Sequence, residues 1–294
     1  MMSKPLTIRE FFKQFPDDET CLQHLFDVRF GQGHTCPSCE RPSNWYRIKA
    51  ERAYSCQWCG YHLHVTVGTP FEKTRTPLQF WFYAIFLFTT TRNGVAAKEL
   101  QRQLGVTYKT AWRMAGLIRE HMAAVDGDER LGGEGKIVEI DETLIGGNKR
   151  KGWSHARREK TMVMGLLVRD GEVQTTIVAD NRKHTLLPEV SKRVQIGTVI
   201  HTDELHSYKG VREMGFEHHT VSHARGMYVG PTGGHVQGIE NFWSQLKRMV
   251  GGTHIHVSAK HLWKYAKEAE YRFNRRDNPS AMLPELLSTF RPSN

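Results

Sequence analysis

The feature that most constrains the fold is a set of four cysteines arranged as two short pairs. Cys36 and Cys39 form the first CxxC pair, and Cys56 and Cys59 form the second, with 16 residues between the pairs. Two pairs at this spacing can place four thiolates around one tetrahedral zinc ion, with a β-hairpin between them. Because cysteine fills all four positions, we predict a closed, structural zinc site. The unpaired Cys21 is predicted to be a core residue near the start of an amphipathic helix.

The composition indicates a globular protein with an anionic partner. Hydrophobic residues make up 39% of the 294-residue chain and charged residues 24%, which argues against general disorder. The formal net charge of +10 favours binding to a polyanion, and nucleic acid is the commonest one. The most apolar stretch, residues 78–88, is too short to span a bilayer and is predicted to be a buried helix. Without a signal-peptide pattern near residue 1, we expect a soluble protein of the cytoplasm, associated with the nucleoid.

Composition divides the chain into three regions. Residues 1–69 form the predicted zinc-ribbon region, residues 70–125 are helical, and residues 136–294 follow a Gly- and acid-rich linker. In the third region short β-branched runs alternate with helical patterns, which predicts an α/β domain. The predicted order of elements is three strands followed by a helix, a strand and a helix. This order is compatible with an RNase H-like sheet. The predicted strands are 136–144, 161–168, 173–179, 198–202 and, more weakly, 218–222; the predicted helices are 184–194, 239–250 and 260–274.

The helical region contains a helix-turn-helix pattern. Residues 96–104 form an amphipathic helix, a turn with a glycine follows, and a second helix begins after a threonine that can cap it. The second helix presents Tyr108, Lys109 and Arg113 in its N-terminal half, where such motifs contact bases and phosphates. An ordinary helical hairpin is the alternative. The positive charge and the predicted zinc ribbon favour DNA binding.

Acidic side chains lie at the ends of two apolar strands and at the start of one helix. Asp141 and Asp203 each end a predicted strand, and Glu240 lies in the first turn of a helix. Their carboxylates can meet at one edge of the sheet, where they would bind two Mg²⁺ ions, which prefer hard oxygen ligands. Three crowded carboxylates repel one another without such cations. Three neighbouring acids are interpreted as residues without a catalytic role: Glu139, Glu142 and Glu204.

The predicted helix that begins near Glu240 carries further candidates. Lys247 lies seven residues, about two turns, after Glu240, so both side chains share a face. A lysine there can contact a phosphate as a point charge. Trp243 and Arg248 flank this face and are predicted to contact DNA, with a core position as the alternative for Trp243. His235 precedes the helix and is a candidate for positioning the scissile phosphate or a water.

At these residues the chain resembles the DDE transposases of bacterial insertion sequences, in the ISXO-type branch with an N-terminal zinc ribbon. The matching stretches cover nearly the whole chain in the family's order. The resemblance implies an RNase H-like catalytic domain, Mg²⁺-dependent strand cleavage and transfer, and binding to terminal inverted repeats. It assigns the acids to Asp141, Asp203 and Glu240, followed by Lys247. Asn241 is the alternative third ligand, and the seven-residue step to Lys247 favours Glu240. The matching stretches are 15–18 with the cysteine pairs, 100–114, 138–148, 201–210 and 235–258.

The predicted activity is cleavage of DNA at the element's ends and joining of the freed 3′-hydroxyl to target DNA. Two ends must be joined, so we expect a homodimer or larger assembly on DNA. One alternative is a zinc-ribbon DNA-binding regulator without catalysis, and another is a nuclease of the same fold that hydrolyses without joining. Further basic residues are expected to hold DNA backbones: Lys149, Arg150, Lys151, Arg157, Arg158, Arg272, Arg275 and Arg276.

Overall fold

Capping side chains begin the first two helices of the chain. In this computed structural model, which describes residues 6–146, 160–221 and 236–290, α1 spans Ile8–Gln14 and α2 spans Asp18–Arg29. A capping box starts α1, and Asp17 starts α2 by accepting a hydrogen bond of 2.8 Å from the backbone N–H of Thr20. Cys21 is fully buried on α2, as predicted for a core cysteine.

A small antiparallel sheet follows and carries the cysteine pairs at its ends. Strands β1 (Trp45–Ile48), β2 (Ala53–Cys56) and β3 (His62–His64) pair in that order. Side chains alternate between the two faces, and the face with Trp45 and Tyr54 is buried. The hairpin expected between the two CxxC pairs is therefore confirmed.

Three helices continue the first part of the chain. The apolar stretch forms the largely buried helix α3 (Leu78–Thr90), as predicted. Helix α4 (Ala97–Leu104) ends at Gly105, whose φ of 65° is a left-handed conformation that favours glycine. Helix α5 (Tyr108–Asp126) begins after Thr107, whose hydroxyl accepts a hydrogen bond from the backbone of Thr110.

The remaining elements form a mixed sheet with helices. The predicted helices and strands of this region agree with the structure to within a few residues at each end, whereas the short strands at 131–132 and 194–195 and the helix at 282–288 were not predicted. The elements in chain order are β4 (Leu131–Gly132), β5 (Ile137–Ile145), β6 (Thr161–Val168), β7 (Val173–Val178), α6 (Lys183–Arg193), β8 (Val194–Gln195), β9 (Val199–Asp203), β10 (Glu217–Val221), α7 (Gln237–Arg248), α8 (Ala259–Asn274) and α9 (Met282–Ser288).

The five-stranded sheet has the order β10-β9-β5-β6-β7. Strands β5, β6 and β7 form an antiparallel meander, whereas β9 pairs parallel to β5 and β10 pairs parallel to β9. The carboxyl ends of β5, β9 and β10 therefore lie at the same edge of the sheet.

Each face of this sheet has its own hydrophobic core. One core contains side chains of α7 and α8, such as Phe242 and Leu262, packed on Val163 and Leu167 of β6. The other contains side chains of α6 and β9 packed on alternate residues of the same strands. Successive residues of β5 thus face different helices.

Side chains of α8 occupy the hydrogen-bonding groups at the outer edge of β7. Asn274 accepts from the N–H of Val173 and donates to its carbonyl, and Glu270 accepts from the N–H of Thr175. These contacts satisfy backbone groups that an edge strand would otherwise expose.

The chain divides into two compact units. The first contains residues 1–125 and 278–294, and the second contains residues 126–277. The boundary near residue 126 follows the predicted start of the linker, but α9 belongs to the first unit, where the Leu287 carbonyl lies 3.1 Å from His24 Nε2. Asp128 in the predicted linker forms ion pairs with Arg193 and Lys267, so this segment is tied to the second unit. No helix within the described ranges is both long and apolar enough to cross a membrane.

Candidate carboxylate site and zinc cluster

The four predicted zinc ligands come together in the first unit. One sulfur atom from each of Cys36, Cys39, Cys56 and Cys59 lies within 4.8 Å of all the others. The Cys36–Cys59 and Cys39–Cys56 sulfur distances are 3.7 and 3.9 Å. Tetrahedral zinc with Zn–S bonds of about 2.3 Å requires sulfurs about 3.8 Å apart. The donor set and its dimensions therefore fit structural zinc.

The environments of two of these thiols shift their pKa values in opposite directions. Burial opposes ionisation of Cys56, but hydrogen bonds from the Ser43 hydroxyl and from backbone N–H groups lower its pKa to about 6. Burial raises the pKa of Cys39 to about 12. One thiolate thus forms readily while a neighbour resists ionisation, as expected for thiols close enough to hydrogen-bond one another.

The register of the second unit's sheet places Asp141 beside Asp203. Strands β5 and β9 pair in parallel as far as Ile140 and Thr202, and the aspartates are the next residues on each strand. Residues at matching positions of parallel strands share a face, and neighbouring strands are about 4.8 Å apart. Both carboxylates therefore lie on the face that packs against α7.

Helix α7 brings Glu240 to the same place. Glu240 lies in its first turn, and repulsion from both Glu240 and Asp203 acts on the carboxyl group of Asp141. The structure thus brings the three predicted acids close enough to interact electrostatically. The approach of Glu240 depends on the packing of Ile239 and Trp243, which are buried on the side of α7 that faces the sheet.

Trp243 has a different place from the one predicted. Its side chain is only 3% exposed, so the ring is not available to stack on DNA bases, and the predicted DNA contact is corrected to a core position. Its indole Nε1–H donates a 2.9 Å hydrogen bond to Asp141 Oδ2. A Cβ at Gly165, opposite Asp141 on β6, would come within 2.7 Å of the indole ring, so a glycine is needed there.

Two carboxyl groups at this edge, those of Asp141 and Glu142, have raised pKa values. Burial raises the pKa of Asp141 to about 6, and repulsion from Asp203 and Glu240 acts in the same direction, while the Trp243 hydrogen bond opposes it. Burial, with repulsion from Asp141 and Asp203, raises the pKa of Glu142 to about 8. Glu142 lies on the other face of β5 and accepts a hydrogen bond from the Tyr208 hydroxyl. A bound cation would relieve this accumulation of negative charge.

The spacing of the carboxylates differs from that of the cysteines. Within residues 6–146, 160–221 and 236–290, no three carboxylates bring one oxygen each within 4.8 Å of all the others, as the four sulfurs do. The described acids therefore do not form a compact ligand cluster like that of the cysteines.

The side chains of α7 point in directions set by the helical repeat. Glu240 and Lys247 lie about 20° apart around the helix, and Glu240 lies about 60° from Trp243. Asn241 lies about 160° from Trp243, on the side away from the sheet. These directions favour Glu240 over Asn241 as the third candidate metal ligand beside Asp141 and Asp203. Both Lys247 and Arg248 are exposed, but Arg248 points about 140° away from Trp243.

The candidate DNA-contacting residues of α5 are exposed. The ring of Tyr108 is 49% exposed, and Lys109 and Arg113 are also at the surface. Arg113 donates a long hydrogen bond of 3.5 Å to the carbonyl of Glu72, which leaves most of its guanidinium group accessible. All three side chains therefore lie at the surface of α5.

Other basic candidates are bound within the protein. Arg272 pairs with the fully buried Glu268, and Arg275 pairs with Asp126, so both guanidinium groups neutralise internal acids. The expectation that these two hold DNA backbones is corrected. Arg276 donates to the carbonyl groups of Gly171 and Phe273 but remains exposed. Further candidates lie outside the described residues: Lys149, Arg150, Lys151, Arg157, Arg158 and His235.

Sequence reasoning missed a buried group beneath the carboxylates. Glu139, interpreted as a residue without a role, is 1% exposed and forms an ion pair of 3.3 Å with Arg169. Arg169 Nη2 lies 3.1 Å from His201 Nδ1. A signal was present, because Glu139 interrupts an apolar strand on the same face as Asp141.

Comparison with known proteins identifies the family. The sequence model of the ISXO2-like transposase domain matches residues 130–274, which contain all three acids. The model of the transposase zinc-ribbon domain matches residues 16–62, which contain both cysteine pairs. The chain belongs to the ISXO2-like transposase family. The zinc-ribbon match and the geometry of the four sulfurs together support structural zinc in the first unit.

Two relatives agree with this family. An uncharacterized protein in transposable element ISH50 of Halobacterium salinarum is 26% identical over 280 residues, which cover 88% of this chain and 92% of the relative. An uncharacterized transposase-like protein of Haemophilus influenzae is 28% identical over 118 residues, which cover 40% of this chain and 94% of the relative. Both similarities are consistent with a role in transposition.

Proposed function

We propose that this transposase cleaves DNA at the ends of an insertion element and joins those ends to target DNA, with Asp141, Asp203 and Glu240 as its catalytic acids. The observation that carries the proposal is the convergence of these three carboxyl groups at one sheet edge, in the domain matched by the transposase family. The order of a three-stranded meander, a helix and parallel strands supports an RNase H-like catalytic domain.

The proposed reaction has two displacements at phosphorus. In the first, water attacks a phosphodiester at the element's end, the bond to the 3′ oxygen breaks, and a 3′-hydroxyl is released. In the second, that hydroxyl attacks a phosphodiester of the target and becomes joined to the target's 5′ phosphate, while the bond to the target's 3′ oxygen breaks and a new 3′-hydroxyl is released. The three acids would hold two Mg²⁺ ions, which when bound stabilise the attacking and leaving oxygens.

A few other residues of the chain bind DNA or orient the proposed catalytic acids. Lys247, which projects on the same side of α7 as Glu240, contacts a phosphate next to the reacting bond. Trp243 holds the Asp141 carboxylate in place through its indole hydrogen bond. Tyr108, Lys109 and Arg113 contact the terminal inverted repeats, with α4 and α5 acting as a helix-turn-helix. Two ends must meet in one assembly, so the active species is a homodimer or larger.

A cleavage assay on DNA that carries the element's end tests the three acids. We expect Mg²⁺-dependent nicking by the wild type and a loss on the order of 1,000-fold in Asp141→Asn, Asp203→Asn and Glu240→Gln. Glu204→Gln and Asn241→Ala are matched controls, because each exposed residue directly follows a proposed ligand. Full activity in the three acid variants, or loss in Asn241→Ala instead of Glu240→Gln, would contradict the assignment.

A second assay separates the proposal from its alternatives. A duplex with a pre-cut end and a free 3′-hydroxyl should be joined to target DNA in the presence of Mg²⁺. Cleavage without any joined product would indicate a nuclease. Sequence-specific binding without cleavage or joining would indicate a DNA-binding regulator.

The proposed DNA-binding helix has its own test. Lys109→Ala and Arg113→Ala should each weaken binding to the terminal repeat about five- to tenfold and reduce its salt dependence. Arg9→Ala on α1 removes an equal charge from an exposed position and should leave binding unchanged. If the three variants bind equally well, α5 does not contact the DNA.

A further inference from the structure

The start of α7 lacks a local side chain that could cap it. The residue before the helix is Val236, which has no hydrogen-bond acceptor in its side chain, and no side-chain cap is formed there. The backbone N–H groups of a first helical turn have no partner within the helix and need an acceptor from elsewhere. In α7, the N–H groups that need such an acceptor belong to the turn that carries Glu240.

The buried carboxylate of Glu139 supplies that acceptor from β5. Its Oε2 accepts a hydrogen bond of 3.1 Å from the backbone N–H of Ile239, the residue directly before Glu240. Its Oε1 lies 3.3 Å from Arg169 Nε, and Arg169 in turn contacts His201 on β9. Glu139 therefore joins the strand of Asp141 to the helix of Glu240, and Arg169 links it to the strand of Asp203.

The close approach of α7 to Glu139 depends on a glycine. A Cβ at Gly238 would lie 2.9 Å from Glu139 Oε2 and 3.0 Å from Leu167 Cδ2. Any larger residue must push the first turn of α7 away from the sheet or displace the carboxylate. The contact between Glu139 and α7 is thus built by two residues, one on each element.

We infer that Glu139 is a positioning residue for the proposed reaction, because it caps α7 and thereby fixes Glu240 and Trp243 relative to Asp141. The inference rests on the proposed function for its catalytic meaning. Glu139 does not touch DNA or the reacting atoms, since its side chain is almost fully buried. It acts by setting the position of the helix that delivers one proposed ligand and orients another.

The first experiment measures the position of α7 relative to Asp141 and does not depend on enzymatic activity. In zinc-loaded, Mg²⁺-free, ¹⁵N-labelled full-length protein, the Trp243 indole N–H resonance reports its hydrogen bond to Asp141, and Trp243→Phe assigns that resonance. We expect Glu139→Ala and Gly238→Ala to shift it. Glu268→Gln is the matched control, because Glu268 is also a buried acid paired with an arginine in this unit. An indole resonance unchanged in both test variants would overturn the inference.

The second experiment measures cleavage as a function of Mg²⁺ concentration. We expect Glu139→Ala to cleave about ten- to a hundredfold more slowly than wild type and to need several times more Mg²⁺ for half-maximal rate. Glu139→Gln keeps a carbonyl acceptor for Ile239 and should recover most of the rate. The same Mg²⁺ requirement in Glu139→Ala and Glu268→Gln, with a similar loss of melting temperature, would mean that Glu139 is only structural.

The two experiments separate two kinds of failure. If the wild type does not cleave DNA at all, the proposed function fails, and the indole measurement still decides whether Glu139 positions α7. If the wild type cleaves and the indole resonance of Glu139→Ala is unshifted, the positioning role alone fails.

Discussion

The two clusters of ligand-type side chains in this protein are built in opposite ways. The four cysteines lie on two loops that are close in the sequence, and their sulfurs are all mutual neighbours. The three acids come from two strands and a helix spread along the second unit, and their meeting depends on the register of β5 with β9 and the packing of α7. Local spacing therefore specifies the first cluster, whereas tertiary structure assembles the second.

The clusters also differ in what they contribute. A closed set of four thiolates binds zinc without an open position and stabilises a small sheet. The carboxylates are more widely spaced, and burial holds the pKa of Asp141 above its ordinary value. Such burial of carboxyl groups costs stability when the groups are ionised.

The largest effect is expected from breaking the cysteine cluster. Cys36→Ser removes one of four zinc ligands, and structural zinc contributes on the order of 10 kcal/mol in small zinc domains. We expect loss of bound zinc by metal analysis and rapid proteolysis within residues 30–65. Cys21→Ala is the control, because this buried cysteine lies outside the cluster and its removal should leave one zinc per chain. A Cys36→Ser protein that keeps its zinc would contradict the structural role.

Asp141→Asn should have the opposite effect on stability while abolishing cleavage. The folded-state pKa of Asp141 is raised from 3.8 to about 6, so the carboxyl group lowers stability progressively as pH rises from about 4 to 6. Above pH 6 this cost is fully present, and asparagine removes it while keeping an acceptor for Trp243. We expect a higher melting temperature than wild type at pH 7.5 in zinc-loaded protein without added Mg²⁺. A lower melting temperature would mean that Asp141 stabilises the fold.

A smaller effect is expected from the hydrogen bond between Trp243 and Asp141. Trp243→Phe keeps an aromatic ring against Gly165 but removes the donor, and hydrogen bonds to charged groups contribute about 1.5–3 kcal/mol. Cleavage should fall about ten- to a hundredfold, with little change in DNA affinity because the ring is buried. Trp263→Phe, at a 39% exposed tryptophan of α8, serves as control. Equal rates for the two variants would show that the indole hydrogen bond is unimportant.

The smallest effect concerns a histidine on the strand next to that of Asp203. Burial, with nearby positive charges, lowers the pKa of His218 to about 4, and its Nε2 lies 2.9 Å from the Thr202 hydroxyl. Its folded-state pKa lies below the ordinary 6.5, so the neutral ring stabilises the fold above pH 6.5, and this contribution is lost as pH falls towards 4. We expect about 1–3 kcal/mol of stability to disappear over this range.

His218→Gln tests this pH dependence. The variant should show a flatter dependence of the free energy of unfolding between pH 6.5 and 4, measured by urea denaturation. An unchanged slope would indicate that other groups titrate in this window. The zinc content of the variant should match that of wild type at pH 7, because the substitution lies in the second unit.

Much of the fold followed from local patterns. The CxxC pairs indicated a zinc ribbon, and alternation of apolar residues located the five strands of the main sheet within a few residues. Capping residues such as Thr107 marked helix starts. These signals could be recognised because the covalent spacing of neighbouring residues determines which of them share a loop, a strand face or a helix face.

Other properties depended on partners that are distant along the chain. The sequence left open whether Trp243 is buried or exposed. A helical pattern shows which residues share a face of the helix, but it does not show whether that face packs against the rest of the protein. Arg272 and Arg275 were expected to bind DNA, but each forms an ion pair with a buried or partly buried acid. The importance of Glu139 depends on an N–H group of α7, and no local pattern relates those two residues.

The sequence by itself determined the ligands of the zinc cluster and the residue types at the ends of β5 and β9. Only the tertiary structure decided that Asp141, Asp203 and Glu240 meet, that Trp243 orients Asp141, and that Glu139 caps α7. The physical reason is that a charged or polar side chain takes its role from whichever group neutralises or hydrogen-bonds it. For a buried group, that partner is chosen by the packing of the whole unit and not by neighbours along the chain.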